Sequence, residues 1–411
     1  VYRRPMIAVL SLLACAAPGP AQLRADEVGY ELRTPNEAAL AKKQKGSGSH
    51  NVGSRHGDLI RPVLSEDVSA VPDAIPSTVR VATLLQPTGG TGVIPPSGRP
   101  DVVGAFRFIC QPGHVNYDDP IVYPDQPGKS HLHQWFGNTA GNAASTYASL
   151  RTTGQSTCVN ILNRSAYWMP AMLDGKGHVV RPDYVSIYYK RMPDRDPNCA
   201  RQGKECVALP RGLRFIFGYD MVTNTRSTGA GYFNCDGPTA TPGHYATITE
   251  AAANCPAGNR LGAVINAPDC WDGKRLDSAN HRDHVAYTSY GSWGYPKCPG
   301  SHPYVIPAFT MGAWYSVDAQ RADTWYLSSD EMPGMERMPA GSTFHADWFG
   351  AWDDDVMAAW TDHCINQLLS CNSGDLGNGR ALVQSGEFSW KTAQRLVPVP
   401  ARPGGTTAAT P

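Results

Sequence analysis

Four histidine-bearing segments carry the residue types from which a metal-binding or reactive centre is built. The strongest is His131-Leu132-His133. In an extended strand alternate side chains share a face, so both imidazoles reach one ligand while Leu132 enters the core. The segment Phe344-His345-Ala346-Asp347-Trp348-Phe349-Gly350 repeats that spacing with a histidine and a carboxylate, a pair suited to acid–base work because the carboxylate fixes the imidazole tautomer. Cys298-Pro-Gly-Ser-His302-Pro holds a third histidine in a proline-bracketed loop. Between Asp269 and His284 lie Asp272, Asp277, Asp283 and His281, a density that suits a polar pocket or a calcium-type oxygen site, or else a run of Asx turns whose carboxylates cap backbone N–H groups.

From these we expect one divalent cation, zinc or copper, held by His131, His133, His302 and His345, with Asp347 and His284 as acid or base. The plainer alternative is that the histidines hydrogen-bond neighbouring loops. Trp135, Tyr167, Trp271 and Trp348, with Trp168, Trp293 and Trp352 nearby, are candidate stacking platforms for sugar rings, or core residues. The serine nucleophile elbow, the zincin helix, the phosphate loop and the dinucleotide glycine fingerprint are all missing from the sequence.

The elements that must position these residues are mostly strands. Short β-type runs at Gly104–Cys110, Asp183–Lys190, Gly212–Tyr219 and Thr324–Leu327 alternate with Gly, Pro, Asn and Asp, and Leu213-Arg-Phe-Ile-Phe217 shows the period of a half-buried strand. One helix is expected over Asp353–Leu369, where Val356, Met357, Trp360, Cys364 and Leu368 recur at helical spacing. The expected fold is mainly β, a single large sandwich or jelly-roll-like domain with long disulfide-tied loops and few helices, with α+β as the alternative.

Composition and cysteine usage narrow the setting. The chain of 411 residues balances 36 Lys and Arg against 36 Asp and Glu, so no long-range field favours nucleic acid. Two arginines followed by the apolar run Met6–Ala17 read as an export signal ending near residue 16, with lipid anchoring at Cys15 as a second possibility. No later apolar run approaches the roughly 20 residues of a membrane helix. Of 11 cysteines, one lies in this leader, and the even remainder in an exported chain reads as five disulfides. Cys110 with Cys158 is one expected pair; Cys199 with Cys206 and Cys364 with Cys371 are close enough to staple local loops, and the other four are open. Residues 17–100 read as a flexible arm or linker whose Leu59–Leu85 stretch carries enough apolar residues to dock, 101–397 as the β domain and 398–411 as a disordered tail.

Taken in order, Asp119-Pro-Ile-Val, His131-x-His133, Ser165-Ala-Tyr-Trp-x-Pro170, Cys270-Trp-Asp-Gly, Leu276-Asp-Ser, His284-Val-Ala-Tyr, Cys298-Pro-x-x-His302-Pro and His345-x-Asp347 resemble a family of secreted proteins with a domain of unknown function, found in filamentous fungi and bacteria. The resemblance spans roughly Gly104 to Gln394. It implies an extracellular protein and, by analogy with members that carry appended wall-binding modules, a polysaccharide or cell-wall glycan as partner. The expectation is an exported, monomeric carbohydrate-active enzyme, a hydrolase, lyase or metal-dependent cleaver of polysaccharide. The alternative is a non-catalytic glycan-binding protein.

Overall fold

The structure is a computed structural model and describes residues 71–88, 103–226, 231–290, 296–319, 322–332, 336–385 and 395–403. The export signal, most of the arm, Trp293 and residues 404–411 lie outside the described residues.

Alternation in the sequence becomes two six-stranded sheets. Their strands in chain order are β1 (Gly104–Cys110), β2 (Val115–Asn116), β3 (His133–Gly137), β4 (Ala166–Pro170), β5 (Tyr184–Arg191), β6 (Arg214–Asp220), β7 (Thr225–Arg226), β8 (Gly231–Asp236), β9 (Arg260–Asn266), β10 (Ala308–Ser316), β11 (His345–Phe349) and β12 (Ser370–Cys371). One sheet runs β7-β6-β11-β4-β3-β2 and the other β8-β9-β10-β5-β1-β12. They pack face to face through one apolar core. Phe309 of β10 contacts Phe215 and Phe217 of β6 and Trp348 of β11, and the Tyr167 and Tyr189 hydroxyls meet across the sheets at 2.8 Å. This is the expected mainly β, sandwich-like arrangement.

Among the described residues the α-helices are few and short: α1 (Tyr147–Thr152), α2 (Cys199–Gln202), α3 (Ile248–Ala253) and α4 (Asp354–Trp360). The helix expected over Asp353–Leu369 is α-helical only to Trp360; one π turn covers Thr361–Ile365 and Leu368 is left-handed at φ 57°. The Cys364–Cys371 disulfide ties the end of that turn back to β12. The other bridges join Cys110 to Cys158, Cys199 to Cys206, Cys235 to Cys255 and Cys270 to Cys298. No described helix is long and apolar enough to cross a membrane.

Both chain ends that were expected to be mobile are docked where they are described. Within the arm, Val71 is buried and Leu85–Pro87 pairs with Arg380–Leu382. At the other end Leu396–Pro398 pairs with His178–Val180, and Arg402 donates to the carbonyls of Gly128 and Ser130. The reason is apolar: Val397 and Val399 pack against the cluster of Leu132, Ala171 and Val179.

Candidate metal centre

The two faces of the β6-β11-β4-β3 sheet divide the sequence between them. Phe136, Tyr167, Met169, Trp348, Phe215 and Phe217 point into the sandwich core. The opposite face carries a row formed by Trp135, Trp168, Asp347 and Ile216, each directly across from the next. His133 and His345 share that outer face, two residues along β3 and β11. Gly218 stands opposite His345 with φ 98°; a Cβ there would lie 2.8 Å from the His345 Cα, so only glycine lets the two strands close.

On this face His131, His133 and His345 converge. The His131 and His133 ring centroids are 4.2 Å apart and those of His131 and His345 5.0 Å. One ligand atom from each of the three lies within 4.8 Å of the others, and the same holds for Asp119, His133 and Asp347. All five side chains are buried, His131 least so at 8% exposed. His133 Nδ1 is 3.0 Å from the Asp118 carbonyl and His345 Nδ1 is 2.8 Å from the Thr343 carbonyl. A carbonyl only accepts, so Nδ1 is the protonated nitrogen in both rings and each Nε2 presents a lone pair, the second-sphere arrangement typical of a metal-binding imidazole.

The His133 lone pair has nothing to meet. His131 Nε2, His133 Nε2 and both Asp347 carboxylate oxygens are buried with no hydrogen-bond partner. Such atoms normally find one, and a buried cluster of orphaned donors of electron pairs fits a cation. His133 belongs to both groups of three and, with its Nδ1 held by the Asp118 carbonyl, offers one nitrogen, so the two groups share that ligand.

Burial dominates the electrostatics. It lowers His131 well below its ordinary value with help from His133 and His345, lowers His133 to about 4, and lowers His345 to about 3. These imidazoles are therefore neutral, the form that binds metals. Burial, and next the Asp119 carboxylate, raise Asp347 well above the usual carboxylate range, while Arg282 pulls the other way. Burial likewise raises Asp119, whose Oδ1 is fixed by the amides of Ile121 and Val122.

Two of the expected ligands or bases are elsewhere. His284 is buried, its ring nitrogens engaged by the Ser278 hydroxyl and the Arg214 carbonyl. His302 is engaged by Ser301 Oγ and the Asp283 carbonyl. Neither has a lone pair left for a shared ion, so both are loop-bridging residues. The expected stacking platforms are also corrected: Trp135, Tyr167, Trp271 and Trp348 are all sealed in the interior, as are Trp168 and Trp352. The Asp269–His284 stretch is an Asx-rich turn region in which Asp269 binds Thr288, Asp272 binds Lys274 and Arg275, and Asp277 binds Arg214 and His281.

The sequence reading gave no role to Asp119 or Arg282. The signal for the first was the Asp-Pro turn that precedes Ile121 and Val122. Arg282 donates to the carbonyls of Gly218 and Tyr219, which places its charge beside His345 and Asp347; only tertiary contact reveals it.

The model of a family described as a domain of unknown function, DUF1996, matches residues 119–352, more than half of the chain. The chain belongs to this family. Neither the curated proteins nor the solved structures gave a match. The DUF1996 segment opens on Asp119 and contains all five residues of the centre, together with β3 and β11, which carry three of them.

Proposed function

We propose that this DUF1996 protein is an exported metalloprotein in which His131, His133, His345 and Asp347 hold one zinc or copper ion, and that it acts as a single chain on polysaccharide as a carbohydrate-active enzyme. The observation that carries this reading is the convergence of orphaned, buried atoms of His131, His133 and Asp347 from two segments far apart in sequence. Three imidazoles and a carboxylate suit borderline cations and disfavour calcium or magnesium, which take oxygen. The five disulfides agree with an oxidising compartment.

A bound divalent cation supplies Lewis acidity and water activation at neutral pH. The chain's own contribution is positional. The Asp118 and Thr343 carbonyls hold two imidazoles in the ligating tautomer. Arg282 sets a fixed positive charge beside His345 and Asp347. Because its expected aromatic platforms are core, the glycan-binding alternative loses the feature that recommended it.

Burial of all five residues favours a second role for the same centre, a structural clamp that fastens the covering loops to the sheet. Elemental analysis of protein purified by export, paired with assays on insoluble cellulose, chitin and xylan, tests both. One zinc or copper per chain, lost in His133→Ala, is expected, with release of soluble sugar that a chelator abolishes. Metal below one per several chains overturns the proposal. Full metal without sugar release on any polymer overturns the enzyme and leaves the clamp.

A further inference from the structure

Remote from the metal centre, a cavity of about 360 Å³ lies between the docked arm and the loop that follows β12. Its floor is Ile109, Val159, Ala381 and Leu382, all buried. The floor is held from both sides. The Cys110–Cys158 disulfide joins the segments carrying Ile109 and Val159, and Leu85–Pro87 pairs with Arg380–Leu382 to bring Gln86 to the rim. Asp375 Oδ1 accepts from the Gly377 amide at 2.9 Å and from Thr88 Oγ1 at 3.4 Å, so one carboxylate ties the two walls together.

The rim is polar. Asn372 Oδ1 is engaged by the Ser373 amide, which leaves its Nδ2. That Nδ2, the Gln86 amide, the Ser373 hydroxyl and Asp375 Oδ2 have no partner among the described residues. Amides and a carboxylate of this kind bridge neighbouring hydroxyls, while a flat aliphatic floor suits the C–H face of a ring. Among the described residues no Lys, Arg or His lines the cavity, so there an anion would meet a carboxylate with no counter-charge. The volume is near the lower end of ligand pockets, roughly 300 to 1,000 Å³, which matches one or two sugar rings.

We propose that this cavity binds a neutral sugar unit, one or two pyranose rings, with Asp375 and Gln86 as hydroxyl-binding groups. The site shares no residue with the metal centre and does not rest on it. Apart from Val159, its lining lies outside the DUF1996 segment.

The test is calorimetric titration of the full chain with cellobiose, chitobiose and xylobiose, and with digalacturonate as the acidic comparison. At least one neutral disaccharide is expected to bind, the acidic one is not, and Asp375→Ala should weaken binding about tenfold, the loss of one charge-assisted hydrogen bond. Should Asp375→Ala misfold, Gln86→Ala, an exposed substitution, must weaken binding in a folded protein. His133→Ala should bind sugar normally, which separates this site from the metal reading. No neutral disaccharide bound at about 10 mM, or binding unaffected by both Asp375→Ala and Gln86→Ala, would overturn the proposal.

Discussion

Asp347→Asn should have opposite effects on stability depending on whether a cation is present. In metal-free protein both Asp347 oxygens are buried without partners beside a second carboxylate, Asp119. An unsatisfied buried polar group costs about 1–3 kcal/mol, and more when charged. Asparagine keeps the shape and brings an N–H that can donate to the orphaned His131 or His133 Nε2, without the proton uptake that the raised carboxyl needs to do the same. The metal-free variant should therefore be more stable than the parent by roughly 1–3 kcal/mol. With an unfolding entropy of about 2.1 cal/mol/K per residue over roughly 300 residues, about 0.6 kcal/mol/K, that is a rise in Tm of roughly 2–5 °C. With zinc at about 100 times its Kd the parent should gain about 2.7 kcal/mol, roughly 4 °C, and the variant much less. Scanning calorimetry with chelator and with zinc reads both arms. A variant less stable than the parent in chelator would mean that the carboxylate has a partner in the fold, and the argument from orphaned oxygens would fail.

Acid should weaken the metal-free protein through its buried histidines. Below pH 6.5 the unfolded chain takes up protons that the folded chain refuses until about 4 at His133 and His284 and about 3 at His345, so stability is lost as pH falls through this window, about 1.4 kcal/mol per pH unit for each histidine. Asp119, Asp269, Asp330, Asp347 and Asp354, raised in the fold by burial, act the other way, so the histidine share is read against His133→Ala, whose urea midpoint should fall less than the parent's between pH 6.5 and 4.5; parallel profiles would contradict the burial of a neutral imidazole. Arg402 clamps Gly128 and Ser130 and lies 4.4 Å over the Tyr117 ring, so Arg402→Ala should speed stripping of the metal by a chelator roughly tenfold without changing metal content; an unchanged rate would show that the carboxy-terminal segment does not guard the centre. Opening the Cys110–Cys158 bridge, which closes 48 residues, should cost about 4 kcal/mol, against about 2.4 kcal/mol for Cys364–Cys371, which closes 7; equal losses in denaturant titration would count against a chain-entropy origin.

The parts of this fold that could be read from sequence are those fixed locally. β1 falls where its apolar alternation put it, and β5 and β6 within a residue or two, because a pleated strand imposes period two on its own side chains. The His-x-His and His-x-Asp spacings likewise predicted which side chains share a face. The parts that could not be read depend on partners distant in sequence. His284 and His302 carry the same ring as His133, and what separates them is whether Ser278, Ser301 or a distant carbonyl reaches both nitrogens. Trp135 and Trp348 had the composition of a sugar platform, but β3 and β11 are interior strands, and covering loops bury one face while the second sheet buries the other. The same cover closes over the three histidines of the metal centre and leaves His131 as the most accessible of them. Val397 and Val399 were too few to announce an apolar face, yet two residues suffice once a strand edge and Leu132 await them.

The most direct measurement is X-ray absorption at the zinc and copper edges on protein purified by export and never exposed to added metal. The account predicts an edge signal from one ion per chain with three imidazoles at roughly 2.0–2.1 Å and no sulfur shell, reduced to background in His133→Ala. A silent edge, or a first shell without imidazole, would contradict it.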